Sequence, residues 1–324
     1  MTTPITVAIL AGGFTHERSV SLRSARRVAS DFREAGFQTK VLDVDGNLLA
    51  RLNSMSPTLA WPLVHGVTGE DGAIQSLLEL SGIPYIGSTT IAARLASNKT
   101  VAQSLLRDRN IQVPRSLSIP EALFREVGVT GMLSLIEENF GLPLVTKPAV
   151  GGSSLGVTAV DSVADLPRAM VDCFAYYPEA HLEEFVSGRE IAVSLVEIDG
   201  ELVVLPPVEI QVSEGLYDYE ARYQPGRAEY YIPADLTETE QEALRDSATA
   251  AFRALGLRDL ARIDYILGER GPVLIDINIA PGMTETSLLP LAASDYAHEH
   301  GLETRDIYAS IVHGAYVHIQ EVED

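Results

Sequence analysis

The stretch Arg262-Ile-Asp264-Tyr-Ile-Leu-Gly-Glu-Arg-Gly-Pro-Val-Leu-Ile-Asp276-Ile-Asn278-Ile-Ala-Pro-Gly282-Met-Thr284 decides how the rest of the chain reads. It has the pattern of two short strands joined by a polar, glycine-containing turn at 268–271. Alternation puts Arg262, Asp264 and Ile266 on one face of the first strand, and Asp276 and Asn278 on one face of the second. Paired as a hairpin, the strands would bring carboxylates, an amide oxygen and a guanidinium to one small area. Oxygen donors of this kind suit Mg²⁺, which prefers octahedral oxygen coordination and commonly bridges to substrate phosphates. The plainer alternative is a solvated polar face on an edge hairpin, and the choice rests on the surrounding sequence.

At 324 residues the chain can bury a large core and is expected to divide into two or three domains. Its hydrophobic content, 46%, is that of a globular protein. No run of about 18 apolar residues occurs, and Met-Thr-Thr-Pro does not have the layout of a signal peptide, so a soluble cytoplasmic protein with no membrane partner is expected. The formal net charge of −21 argues against a nucleic-acid surface, while leaving room for a small anionic substrate whose charge is met locally. The lone Cys173 excludes an internal disulfide and a cysteine-based metal site; it reads as a small buried hydrophobe. Of 24 basic residues only Lys40, Lys99 and Lys147 are lysines. A lysine kept in an arginine background hints at a need for a compact ammonium on a flexible stem.

In chain order, 5–10 reads as a buried strand, followed by a glycine turn, a helix over 19–35 and a strand over 38–44. This βαβ start suits an anion or polar ligand at the helix N-terminus, but G-x-G-x-x-G is absent. Glu17 sits just before the helix, placed either for the helix dipole or to hold a substrate ammonium. His65 follows a strand over 59–64, in a glycine-rich loop where open α/β sheets place ligand contacts; a structural hydrogen bond is the commoner fate of a lone histidine. A helix over 73–81 and a strand over 83–86 follow, then helices over 99–109, 121–139 and 165–176. Lys147 stands directly before Gly151-Gly152-Ser153-Ser154-Leu-Gly156, in a strand–loop–strand pattern. A P-loop would be strand–loop–helix with its lysine after the loop, so a hairpin flap offering backbone N–H groups to phosphate fits better. Strands are expected over 191–198 and 201–206, a helix over 239–255, and mostly helix from 294 onward. The aromatic, polar stretch 211–232 matches neither period and reads as a lid.

With these pieces in place the chain resembles the D-alanine–D-alanine ligases of the ATP-grasp superfamily, nearly end to end. The resemblance is carried by Leu10-Ala-Gly-Gly-x-x-x-Glu17-Arg-x-Val-Ser, His65-Gly-x-x-Gly-Glu-Asp-Gly, Ile83-Pro-Tyr-x-Gly-Ser, Gly141-Leu-Pro-Leu-Val-x-Lys147-Pro, Gly152-Ser153-Ser154-x-Gly-Val and Glu183-Glu-Phe185-x-x-Gly-Arg-Glu190. It continues through Tyr217-Asp-Tyr-Glu-Ala-x-Tyr223, Ala261-Arg262-x-Asp264 and Asn278-x-x-Pro-Gly282-Met-Thr-x-x-Ser287-Leu288. The fold this implies is ATP-grasp, mixed α/β and α+β, with an N-terminal Rossmann-like domain over 1–96, a central subdomain carrying the phosphate flap over 97–184, and a C-terminal subdomain with lid and metal site over 185–324.

The resemblance also implies roles. Lys99, Lys147 and the flap residues Gly152, Ser153 and Ser154 would hold the phosphates of ATP, with Arg222 close by in the lid. Glu183 and Glu190 would contact adenine and ribose, and Phe185 and Val186 would line the adenine pocket. Asp264, Asp276 and Asn278 would bind two Mg²⁺ ions, with Mn²⁺ able to substitute. Glu17 would orient the first D-alanine's ammonium and link to Ser153 and Tyr223 to close the lid. Arg262 and the Gly282 amide would bind an oxyanion; Ser287 and the Leu288 amide would take the second D-alanine's carboxylate, with His65 beside that substrate. A homodimer is implied as well. The chain departs from the family pattern at Asp276 (usually Glu), Arg222 (usually Lys), Ile279 (usually Thr) and Gln103 (commonly basic). Alternatives left open are a sibling ligase taking D-lactate or D-serine second, against which Tyr223 counts, and a nucleotide-binding relative with weakened catalysis.

Overall fold

The computed structural model describes residues 5–323 except 153, 214, 218–221 and 223–225, with side chains described as far as 317. The chain begins with β1 (Thr6–Ala11), α1 (Arg18–Glu34), β2 (Gln38–Asp43), α2 (Leu48–Met55) and β3 (Leu59–Pro62). These strands form a parallel sheet in the order β2-β1-β3. Central strand β1 is covered on both sides, which is why it reads as an unbroken apolar run. Val7, Ile9 and Ala11 pack with Ala25, Val28 and Phe32 of α1, while Ala8 and Leu10 join Leu48 and Leu52 of α2 in a second cluster. Then come α3 (Val67–Glu70), α4 (Ala73–Leu80), α5 (Thr90–Ser97) and α6 (Lys99–Arg107). Asn98 ends α5 and caps α6, its side chain accepting from the Val101 N–H at 3.1 Å.

The next sheet is antiparallel, built from β4 (Ser116–Pro120), β5 (Leu144–Pro148), β6 (Thr158–Val160) and β7 (Glu179–Glu184) in the order β4-β7-β5-β6. The helices α7 (Glu121–Glu126), α8 (Val129–Asn139) and α9 (Leu166–Phe174) supply its apolar cover through Phe124, Ile136, Met170 and Cys173. The third sheet runs β11-β10-β8-β12-β13, with β9 beside β8; its strands are β8 (Arg189–Ile198), β9 (Glu201–Val204), β10 (Val208–Val212), β11 (Ala228–Tyr231), β12 (Leu260–Gly268) and β13 (Gly271–Asn278). One face packs on α10 (Glu238–Ala254), whose N-terminus is a capping box of Thr237 and Glu240. The other face of β8, through Ala192 and Val196, shares a core with α11 (Leu288–Glu299) and α12 (Thr304–Glu323).

Several expectations change against this architecture. The helix expected over 121–139 is two, because Gly128 takes φ 88° and turns the chain between α7 and α8. Residues 83–86 contribute one parallel bridge, Ala60 to Tyr85, rather than a strand. The short elements α2, α5 and β4 were not anticipated; α5 is alanine-rich and β4 is an edge strand ending in Pro120, so neither gives a clean period. The ends of the stretch 211–232 are taken up by β10 and β11, and the centre of the expected lid lies outside the described residues. Cys173 is a buried free thiol, as its apolar neighbours indicate.

Polar ties join the first sheet to the third. Asp259, buried and at φ 64°, accepts from the Gly87 N–H at 2.6 Å, while Arg258 donates to the carbonyls of Tyr85 and Gly87 at 2.9 and 2.8 Å. His65 makes the other tie. Its Nδ1 faces the Ala280 carbonyl at 3.1 Å and therefore carries the proton, so Nε2 accepts from Ser24 Oγ at 3.2 Å, and Ser24 Oγ accepts the Met283 N–H at 3.1 Å. Burial pulls the ring's pKa down to about 4, against the Ala280 contact and with help from Arg262. Replacing Asp259 by Ala strands a buried N–H and should cost about 2 kcal/mol, read as a lower urea midpoint at unchanged slope; Asp259→Asn, which tolerates the left-handed backbone, should cost less. Because unfolded His65 binds its proton near pH 6.5 and folded His65 near 4, stability should fall as pH drops through that window. His65→Gln should flatten that acid limb by up to about 3 kcal/mol, and an unchanged slope would mean the native ring is already charged.

Candidate active site

β12 divides its side chains cleanly. Ala261, Ile263, Tyr265 and Leu267 enter the core beneath α10, and Arg262, Asp264 and Ile266 face a cleft. β13 pairs with it antiparallel, Arg262 opposite Asn278 and Asp264 opposite Asp276. Strict alternation from Leu274, a core residue, would send Asp276 and Asn278 into the core too. A β-bulge prevents this: Tyr265 pairs with Leu274 while Asp264 pairs with Asp276, so Ile275 is the extra residue and the parity of β13 flips. The Ile275 carbonyl, released from the ladder, accepts Lys147 Nζ at 2.9 Å.

The expected polar cluster is therefore assembled. Asp264 is held by Arg262 through two bonds, 2.8 and 3.0 Å, and accepts Asn278 Nδ2 at 3.2 Å. Burial alone would raise the Asp264 pKa, but Arg262, together with Arg222 and Lys99, outweighs it and holds the carboxylate below its ordinary pKa. Asp276 pairs with Lys99 Nζ at 2.6 Å, and Lys99 also donates to the Gly151 carbonyl at 2.8 Å. Since the Asn278 amide nitrogen is committed to Asp264, its oxygen turns toward the flap. A Cβ on Gly152 would lie 3.0 Å from that oxygen and 2.8 Å from Glu70 Oε2, so glycine is required for the flap to come this close. Arg222 donates to the Gly152 carbonyl at 3.1 Å and stacks over the Tyr217 ring, 4.8 Å from its centroid. Among the described residues no three His, Cys, Asp or Glu side chains converge as a metal cage. Two facing carboxylates and an outward amide oxygen nonetheless fit Mg²⁺, which takes its remaining ligands from phosphate and water.

Two cavities meet here. The larger, about 260 Å³, is lined by Lys99, Lys147, Ser154, Glu183, Phe185, Val186, Glu190, Arg222, Asp264 and Asp276, with Val145, Leu155 and Ile266 giving it an apolar end. The smaller, about 50 Å³, is lined by Glu17, His65, Glu70, Gly152, Arg262, Asn278, Gly282, Ser287 and Leu288. Glu17, Tyr217 and Arg222 border both. Every expected site residue that the structure describes thus lies at one cavity or the other; Ser153 and Tyr223 fall outside the described residues. Glu190 is half-buried in the cleft wall, and the loss of solvation there pushes its carboxyl up to about 7 despite Arg222. Ser287 Oγ contacts the Thr284 amide at 3.0 Å, and Leu288 opens α11. His65, expected at a ligand, has both ring nitrogens engaged within the protein.

The sequence motifs assign no role to Glu70 or to the pair Ser21 and Ser24. Glu70 is buried beside Glu17 and accepts the Gly66 N–H at 3.0 Å; burial and the Glu17 carboxylate push it well above the usual carboxylate range. Its position five residues after His65 in a glycine-rich loop was the available signal. Ser21 ties the first glycine turn to β3, accepting the Gly12 N–H at 2.8 Å and donating to the Leu63 carbonyl at 2.6 Å. With Glu17 and Ser24 it shares one helix face, a spacing visible in the sequence.

The family description "D-ala D-ala ligase C-terminus" matches residues 105–313, and "D-ala D-ala ligase N-terminus" matches 47–88. The chain is 37% identical over 310 residues to a D-alanine–D-alanine ligase of Anaeromyxobacter sp. (strain K), covering 95% of this chain and 96% of that one. It is 33% identical to the ligase of that name from Pelotomaculum thermopropionicum, over 94% of this chain and 95% of that one. Among solved structures, the D-alanine–D-alanine ligase of Bacillus anthracis superposes with a TM-score of 0.81 at 24% identity, covering 99% of this chain and 100% of that one. The VanG D-Ala:D-Ser ligase of Enterococcus faecalis gives 0.79 at 25%, covering 97% and 100%. The fold is ATP-grasp, and the chain belongs to the D-alanine–D-alanine ligase family.

Proposed function

We infer that this chain joins two D-alanine molecules into D-alanyl-D-alanine at the expense of ATP, through an acyl phosphate, to make a peptidoglycan precursor. The observation that carries the chemistry is the adjacency of the two cavities: a cleft with an apolar end and a cationic floor lies beside a small polar pocket, and Glu17, Tyr217 and Arg222 border both. An amide cannot form from a free carboxylate without a leaving group, so a phosphoryl donor and an amino acid must meet at such a boundary. Relatives from Anaeromyxobacter, Pelotomaculum and Syntrophotalea at 33–37% identity carry the D-alanine–D-alanine ligase name, which does not favour D-lactate or D-serine as the second substrate.

In this reading ATP lies in the larger cleft, with the base at Phe185, Val186 and Glu183, the ribose at Glu190, and the phosphates beneath the flap at Lys99, Lys147 and Arg222. Asp264, Asp276 and Asn278 would hold Mg²⁺, two ions with Mn²⁺ as a substitute, which when bound supplies charge neutralisation at the transferring phosphoryl group. Glu17 takes the first D-alanine's ammonium; Ser287 and the Leu288 amide at the start of α11 take the second one's carboxylate. Arg262 and the Gly282 amide face the oxyanion that develops when the second amine attacks the acyl phosphate. Arg222 and Tyr217, drawn over Gly152, exclude water that would hydrolyse that intermediate. We read the chain as three units, 1–96, 97–184 and 185–324, with the reaction at their meeting point, and as a homodimer. Among the described residues no helix is long and apolar enough to cross a membrane.

Phosphate release should require ATP and D-alanine together, with the dipeptide as product; ATP turnover indifferent to D-alanine would overturn this function, and preferential depsipeptide formation from D-lactate would reassign the second substrate. Asn278→Ala should lower turnover by about two orders of magnitude or more, while Asp276→Glu, which keeps the carboxylate and adds a methylene, should hold or raise it. Undiminished activity in Asn278→Ala would remove the metal assignment.

A further inference from the structure

Behind the cleft, α6 lies over the sheet of β4, β7 and β5 and encloses a polar cluster in which Thr100, Gln103, Ser116, Ser118 and His181 have no task in the ligation chemistry. The strand registers place Ser118, His181 and Lys147 in one row and Ser116 and Glu183 in the next, all on one face. His181 is fully buried. A carboxylate can only accept, so His181 Nε2 donates to Glu183 Oε1 at 3.1 Å and Nδ1 accepts from Ser118 Oγ at 2.9 Å, with Thr100 Oγ1 next in line on Ser118. Gln103 is oriented in the same way: its Oε1 takes Ser116 Oγ–H at 2.6 Å, which turns its amide nitrogen to Glu183 Oε1. Lys147 Nζ is the third donor, at 2.7 Å. All three reach the same oxygen, and among the described residues no donor reaches Glu183 Oε2, on a side chain that lines the cleft.

Three donors exceed what one carboxylate oxygen requires, and they differ in kind. Lys147 is a charge on a flexible stem, whereas Gln103 and His181 are neutral and locked by hydroxyls behind them. Burial outweighs Glu183 in holding His181 on the neutral side, so only one of the three is a cation. A second cation at 103, common in the resembling family, would grip Glu183 by charge and repel Lys147; an amide holds by direction alone. We propose that His181, with Gln103, is a positioning residue that keeps Glu183 aimed at the base end of the cleft once Lys147 has moved from Oε1 to a nucleotide phosphate. This rests on reading that cleft as the ATP site. Two neutral donors left behind spare the buried carboxylate the penalty of losing its cation with nothing in exchange.

The test is calorimetric titration of the intact protein with Mg²⁺ and no amino acid, using ATP and, separately, adenosine, which has no phosphate for Lys147 to hold. Lys147→Ala should weaken ATP by about tenfold or more and adenosine by less than about twofold. His181→Leu should weaken both by the same factor, about tenfold, and narrow the preference for ATP over GTP, while the KM for D-alanine stays as in the parent. His181→Gln, whose amide can still donate to Oε1, should recover most of the loss. If His181→Leu binds adenosine like the parent while Lys147→Ala loses ATP, His181 is only a core residue and the proposal falls alone. If Lys147→Ala leaves ATP binding untouched, the nucleotide reading of the cleft falls with it. Thermal melts accompany each titration; should His181→Leu not fold, Gln103→Leu carries the same expectation and the same refutation.

Discussion

One extra residue in β13 governs the active centre. Ile275 has no partner in the ladder, and its insertion moves Asp276 and Asn278 from the core side of the strand to the cleft side, where Asp264 and Arg262 already stand. Without it the hairpin would present one carboxylate to the cleft and bury another beneath α10. The same irregularity frees the carbonyl that anchors Lys147, so a single insertion sets both the oxygen cluster and the position of a cation on a neighbouring sheet. Bulges concentrate beside functional sites because they re-aim side chains at small cost to the rest of a sheet.

The charges gathered there also have to be tolerated by a folded chain. Each carboxylate of the cluster meets a cation of its own: Arg262 on Asp264, Lys99 on Asp276, Lys147 on Glu183. All three cations are buried. Such pairs add little net stability, since desolvation offsets most of their attraction, but removing one partner leaves a buried charge that is costly. The pairs therefore hold the site in a defined shape while keeping its ligands available to a stronger competitor. The flap follows the same logic, its carbonyls at Gly151 and Gly152 drawn onto Lys99 and Arg222.

Much of this could be read in advance where the chemistry is local. Alternation placed the two faces of β12 correctly, and the strand–loop–strand pattern after Lys147 distinguished a flap from a P-loop. The scarcity of lysine pointed to Lys99 and Lys147, though it pointed equally to Lys40, an exposed residue of β2 away from both cavities. What escaped depends on contacts between distant segments. Val273-Leu274-Ile275 is uniformly apolar and gives no sign of where a bulge falls. His181 and Gln103 acquire their partners from the register of β4 against β7 and from α6 lying over both. Gln103, which looked like a lost basic residue, is an oriented donor to Glu183. Glu70 owes its raised pKa first to burial and then to the approach of Glu17 from another loop, neither of which a local pattern predicts.

The partition between the two cavities has a consequence for inhibitor chemistry. Glu17, Tyr217 and Arg222 line both spaces, so the boundary between them is made of shared side chains. On the proposed function, a single bisubstrate compound, carrying a planar heterocycle at one end and an α-amino acid head at the other, would engage both compartments across those side chains. Joining the two halves makes the second binding step intramolecular, and the gain in affinity depends on a linker whose length matches the distance across those side chains.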